Sequence, residues 1–356
     1  SHQLWQTVGA FMERRKALVV GIDNYPGQEL DAAVADARSV AKLLARHDDG
    51  DPNFYVKLYT APVPKPDGSM VVPEDPDVDE EFADKNGIPQ KFLRDKIDEL
   101  FQGDNDIALF YFSGHGALTH VGGTVITSDT KIAAEALSMD EILDLANNSK
   151  AREKVIILDC CHSGAFGSPN TADGKVREIS AGMVVFSAAL PSQKAMERKS
   201  VGHGTFTELL IEALNGAAAD LLGEITPGAI YHYVDEALGT WEQRPVFKTN
   251  VTGWSFLRKV TGPDSPALPR GMLRKIKKYF PDMEHEFSLS PEYEPSDPSN
   301  DPAKVATFKD LQTFAGVDLV VPVGEDHMYW AAMHSKSCKL TTLGKRYWRL
   351  VKDNRV

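Results

Sequence analysis

Val155-Ile156-Ile157-Leu158-Asp159-Cys160-Cys161-His162-Ser163-Gly164 is the stretch on which the reading of this chain turns. An apolar, β-branched run that stops abruptly in acid, thiol, imidazole and glycine describes a buried strand that delivers reactive groups to the rim of a sheet. Upstream, Asp106-Ile107-Ala108-Leu109-Phe110-Tyr111-Phe112 is followed by Ser113-Gly114-His115-Gly116 and has the same build. Two buried strands separated by a helix-patterned segment predict a parallel βαβ crossover. Both polar clusters then fall at the carboxyl edge, where open α/β sheets bind their ligands. His115 and one of the cysteines would occupy neighbouring strand ends.

Working outward, Ala17–Ile22 predicts a first strand, left through the turn-rich Asp23-Asn24-Tyr25-Pro26-Gly27. From Asp31 to His47 the residues Val34, Ala37, Val40, Ala41 and Leu44 repeat at helical spacing, with Asp36 off that face near the helix start. Phe54–Tyr59 alternates as a second strand, and the Pro- and acid-rich residues 61–88 predict a solvated loop. Pro89 opens a helix through Phe101, and Ser138-Met139-Asp140-Glu141 is a capping box that launches the helix before the cysteine strand. Met183–Ala189 is a further buried strand. Helices follow over 205–215 and after Thr226-Pro227, with Gly239 past the end of the second, and a last short segment lies near Trp254–Phe256. Alternating strands and helices predict a doubly wound α/β domain over residues 1–260.

Residues 261–270, Pro-rich, predict a linker, and 271–356 a smaller α+β domain with helices near 271–280, 303–315 and 326–333. Apolar content of 42% and charged content of 25% are those of an ordinary globular protein. No run approaches the roughly 18 apolar residues of a membrane span and no signal-peptide succession opens the sequence, so no membrane partner is expected. With only three cysteines, two of them adjacent and so poorly placed for a disulfide, a reducing, cytoplasmic setting is expected. Residues 1–261 carry a net charge of −13 and residues 262–356 a net +1. An acidic body disfavours phosphate backbones and favours basic partners or substrates.

A cysteine nucleophile needs a base, oxyanion donors and a positioning pocket. His115 is the base candidate, because His162 projects to the opposite side of an extended backbone from Cys161. The same alternation puts Asp159 and Cys161 on one side of the strand. Glycines beside them let a substrate approach, and the amides of Gly116 and Cys161 are candidate oxyanion donors. A zinc site is disfavoured, since structural zinc uses cysteines spaced by two to four residues. Cys160 reads as a buried structural thiol.

Ser-Gly-His-Gly and Asp-Cys-Cys-His-Ser-Gly, each after an apolar strand and in that order, resemble the caspase-fold cysteine peptidases, specifically the metacaspase and orthocaspase branch. The resemblance extends over about residues 14–257 and includes Gly21–Tyr25, Phe186–Ala189 and Gly204–Thr207. It implies a caspase-like sheet flanked by helices, Cys161 as nucleophile and His115 as base. It also implies an acidic pocket for the residue before the scissile bond, lined by Asp36, Ser113 and Asp159, hence cleavage of protein substrates after Arg or Lys. Ala33 and Ala35 depart from residues the family often has as Cys and Asn. Ala117–Thr127 is short and uncharged where calcium-dependent relatives are acid-rich, and Ser168 stands where those relatives carry an Asp, so no metal or other cofactor is expected.

Lys175 and Arg177 fall in the loop where relatives are sometimes cut, which makes them candidate autocleavage sites. Residues 340–349 resemble the strand-to-helix end of a winged-helix module. Seven Lys/Arg against one acid in 334–356 admit DNA contact in principle, but the domain's near-zero charge favours a protein partner or activator. The pairing of domains resembles bacterial effectors of cell death or antiphage defence. The alternative is a catalytically silent caspase-fold scaffold acting through its C-terminal domain.

Overall fold

The computed structural model describes residues 14–64, 77–83, 87–119, 122–160, 179–188, 205–238, 245–251, 253, 255–262 and 267–356. The chain divides into two compact units, Ser1–Asp220 with Glu224–Gly262, and Leu221–Gly223 with Pro263–Val356.

In the first unit the elements follow as β1 (Arg15–Ile22), α1 (Ala33–Ala45), β2 (Tyr55–Ala61), β3 (Asp79–Phe82), α2 (Gln90–Phe101) and β4 (Ile107–Gly114). Then come β5 (Gly116–Thr119), β6 (Gly122–Val125), β7 (Leu137–Ser138), α3 (Met139–Asn147), β8 (Glu153–Cys160) and β9 (Met183–Ser187). The unit closes with α4 (Thr205–Glu212), β10 (Glu224–Ile225), α5 (Pro227–Ala237), β11 (Val246–Asn250) and β12 (Arg258–Lys259). Among the described residues seven strands form the central sheet, in the order β11-β9-β8-β4-β1-β2-β3. All neighbours run parallel except the edge strand β11. The result is a mostly parallel sheet flanked by helices.

Burial on both faces explains the apolar runs. Every residue of β4 is buried, and so are Val155–Leu158 of β8. Phe110, Phe112, Ile156, Leu158 and Cys160 pack on one face with α2 and α3, while Leu109, Tyr111, Val155 and Ile157 pack on the other with α1, α4 and α5. Each fully buried side chain of this size is worth about 1.5–3 kcal/mol. Cappings follow the sequence: Ser138 Oγ accepts from the Glu141 amide at 3.0 Å and Thr226 Oγ1 from the Ala229 amide at 3.2 Å. Glu141 itself turns to Arg94 rather than closing the box.

Three segments differ from expectation. Part of the acidic excursion is a strand, because β3 is an edge strand held by ions rather than by apolar burial: Lys57 meets Asp79 at 2.9 Å and Arg38 meets Glu80 at 3.0 Å. The segment after His115 is a hairpin, with β5 and β6 antiparallel and β7 completing a small sheet. The exit after Arg244 contains strand β11, paired antiparallel with β9.

The second unit contains α6 (Arg270–Arg274), α7 (Ile276–Tyr279), β13 (Glu286–Ser288), α8 (Pro302–Gly316), β14 (Val320–Val323), α9 (Met328–Met333), β15 (Ser337–Leu340) and α10 (Thr342–Lys352). Its antiparallel sheet has the order β13-β15-β14, and β14 and β15 are joined through α9. Phe280, Phe308, Leu311, Phe314, Tyr347 and Trp348 form its own core. Among the described residues no helix is long and apolar enough to cross a membrane.

Candidate active site

The carboxyl ends of β1, β4 and β8 build the site. In the parallel register Ser113 of β4 stands between Gly21 of β1 and Asp159 of β8, and Gly114 stands beside Cys160. Register neighbours in a parallel pair project to the same side. Ser113 and Asp159 therefore share the face covered by α1. Helix α1 comes close because Gly21 has no side chain: a Cβ there would lie 2.6 Å from the Ala33 carbonyl oxygen and 2.7 Å from Ala37 Cβ. No side chain of its own N-cap satisfies the start of α1; Asp23, at the exit of β1, accepts from the Ala33 and Val34 amides at 2.9 and 3.3 Å.

A cavity of about 270 Å³ opens at this edge, lined among others by Ser113, Asp159, Glu29 and Asp31. Ser113 and Asp159 are thus brought together in one lining. Asp36 is half-buried on α1 and is not part of the lining, but its field reaches Asp159. Burial pushes the Asp159 carboxyl up to about 7, opposed by a hydrogen bond from Thr207 and reinforced by Asp36. Asp36 is pushed up to about 6 by burial, then by Asp23 and Glu208, and its Oδ2 is buried without a hydrogen-bond partner among the described residues. A carboxylate in such a state gains most from an incoming cation. Thr207 donates to Asp159 Oδ2 and is itself 2.7 Å from the Tyr111 hydroxyl, so a buried hydroxyl pair fixes the carboxylate from behind.

His115 follows β4 directly and is half-buried. Its Nε2 lies 2.7 Å from the Gln28 carbonyl oxygen. A carbonyl only accepts, so this contact puts the ring proton on Nε2 and the lone pair on Nδ1. Gln28 is placed by a tight turn: its amide donates to the Tyr25 carbonyl at 2.9 Å, with Pro26 at the second position and Gly27 at φ 77° in the third. Ile126 N–H donates to the His115 carbonyl at 3.0 Å, which makes His115/Ile126 the hydrogen-bonding pair of this antiparallel ladder. Gly116/Val125, the next pair, is then the non-bonded type, whose amide points away from the partner strand, as an oxyanion donor requires.

Sequence reasoning missed Glu29, Asp31, Thr207 and the Gln28 carbonyl. The turn residues Pro26-Gly27 were the signal that could have located the last of these. Cys161, Lys175 and Arg177 lie outside the described residues. Cys160, the last described residue of β8, is buried at 3% exposure, in keeping with a structural thiol.

With this geometry in hand, the class is that of a caspase-type α/β fold, and the family comparison agrees with it. Residues 14–253 match the family model described as Caspase domain, and the chain belongs to that family. Among solved structures, it is similar to the Drosophila initiator caspase Dronc, with 15% identity, a TM-score of 0.43 and coverage of 67% of this chain and 81% of that one. It is also similar to pro-sf-caspase-1, with 12% identity, a TM-score of 0.41 and coverage of 70% and 94% respectively. No curated protein matches the chain.

Proposed function

We propose that this chain is a cysteine endopeptidase that cleaves proteins after Arg or Lys through Cys161 and His115. The observation that carries the reading is the acidic cavity at the strand ends, where Ser113 and Asp159 meet Glu29 and Asp31 close to a His115 whose Nε2 is committed to Gln28. His115 Nδ1 takes the Cys161 proton, and the thiolate sulfur attacks the carbonyl carbon. The Gly116 and Cys161 amides hold the oxyanion. The imidazolium then protonates the leaving amine, and water hydrolyses the thioester to free Cys161. A guanidinium or ammonium in the cavity ionises Asp159, with charge-assisted hydrogen bonds worth about 1.5–3 kcal/mol each.

We read residues 1–260 as the peptidase domain, 261–270 as a linker and 271–356 as a winged-helix-like domain that recruits a protein partner or activator, in the manner of a cell-death or antiphage effector. Lys175 and Arg177 are the proposed autocleavage sites, and catalysis needs no calcium. The test compares the protein with Cys161→Ala on matched fluorogenic peptides ending in Arg, Lys or Asp, with chelator and with calcium. Cys161-dependent cleavage after Arg or Lys that survives chelator is expected. Cleavage after Asp would overturn the pocket assignment, and a protein silent on every peptide would favour the scaffold reading.

A further inference from the structure

The Tyr25 side chain enters the active centre at a point where the backbone ladder is incomplete. At the His115/Ile126 pair, one ladder bond is direct, from Ile126 N–H to the His115 carbonyl. The other is replaced by a hydroxyl: Tyr25 Oη accepts from His115 N–H at 3.0 Å and donates to the Ile126 carbonyl at 3.1 Å. The Tyr25 ring lies 4.5 Å from the imidazole, tilted by 53°. Room for this hydroxyl is made by Gly114, where a Cβ would fall 2.4 Å from Tyr25 Oη. Tyr25 is 4% exposed, and burial raises its phenol above the ordinary range, so it stays a donor. The turn that begins at Tyr25 also supplies the Gln28 carbonyl at the imidazole Nε2.

The geometry points to Tyr25 as the positioning residue of the active centre, its hydroxyl and ring together setting the His115 imidazole and, through the backbone it bridges, the direction of the Gly116 amide. Tyr25 acts through those two groups and touches no reacting atom. The assignment rests on the reading of His115 as the base.

Tyr25→Phe keeps the ring and removes only the bridge. Since a small misplacement of a catalytic group costs up to about 100-fold, kcat on an Arg peptide falls by about 10–100-fold while KM moves little. A second readout needs no turnover: in ¹⁵N-histidine spectra, with the His115 signal identified by its loss in His115→Ala, the Nε2–H tautomer of the parent protein becomes a tautomer mixture in Tyr25→Phe. Gly114→Ala, whose Cβ would strike the hydroxyl and also lie 2.9 Å from Phe112 Cζ, costs less kcat in the Tyr25→Phe background, where only the Phe112 contact remains, than in the parent. An unchanged kcat and an unchanged tautomer in Tyr25→Phe would overturn the assignment, as would loss of the native fold, which marks a structural role. A parent silent on all peptides removes the peptidase reading alone, and the imidazole spectrum then decides the positioning role.

Discussion

At the scale of single residues, the Asp159 carboxylate is hard to keep charged where it stands, and this shapes both binding and stability. With Asp159 pushed up to about 7 and Asp36, outside the lining, to about 6, both of these carboxyls are largely protonated below about pH 6. A cationic side chain must then displace protons, so kcat/KM for an Arg peptide rises with pH through the window from about 6 to 7. A pH profile of kcat/KM checks this, and the Asp159→Asn variant loses the upper step together with about 10–100-fold of its activity on Arg, the equivalent of one charged hydrogen bond.

The same shift has an opposite sign for folding. The folded state holds the Asp159 proton more tightly than an unfolded chain whose Asp titrates at 3.8, so stability is lost as pH rises from about 4 to about 7. Asp159→Asn keeps an oxygen to accept from Thr207 and carries no charge. It should match the parent at pH 4 and melt higher at pH 8, each kcal/mol of relief raising Tm by about 2–4 °C in a domain of this size. Thermal melts at the two pH values measure this.

Elements explain why parts of the site were legible in the sequence and others were not. Strands β4 and β8 declared themselves because both faces are buried, which forces apolar runs, and their sudden polar ends marked His115, Ser113 and Asp159. Strand β3 left no such mark, since Asp79-Glu80-Glu81-Phe82 is fixed by Lys57, Arg38 and Thr60 rather than by an apolar face. The Gln28 contribution is a backbone carbonyl, which side-chain chemistry cannot announce. Asp23 illustrates a third case: it was visible as a turn residue, but only the packing of β1 against α1 makes it the cap of a helix ten residues further on. Because Ala33, the first residue of α1, lines the cavity, the cap and the cavity are linked. Asp23→Ala should cost about 0.5–2 kcal/mol in denaturant melts. With α1 loosened, KM for an Arg peptide rises more than kcat falls, a split that steady-state kinetics on the folded variant reads directly.

For the whole molecule, the two units have separate cores and separate charge. The apolar clusters on the two faces of the large sheet draw only on residues before 263, whereas the third cluster draws on Leu222 and on residues from Leu268 onward. The net negative charge lies in residues 1–261, at −13, while residues 262–356 are nearly neutral at +1. Trp348 anchors the smaller core: it is 5% exposed and its indole N–H donates to the Phe280 carbonyl at 2.7 Å. Removing a buried tryptophan leaves a cavity and orphans that carbonyl, so Trp348→Ala should destabilise the second unit by about 3–5 kcal/mol. If chemistry resides in the first unit alone, calorimetry will show a transition moved to lower temperature while kcat/KM on a short Arg peptide, measured below that transition, stays at the parent value. A loss of peptide cleavage there would instead make the second unit part of the catalytic assembly, and the role proposed for it would change from recruitment to direct support of the active centre.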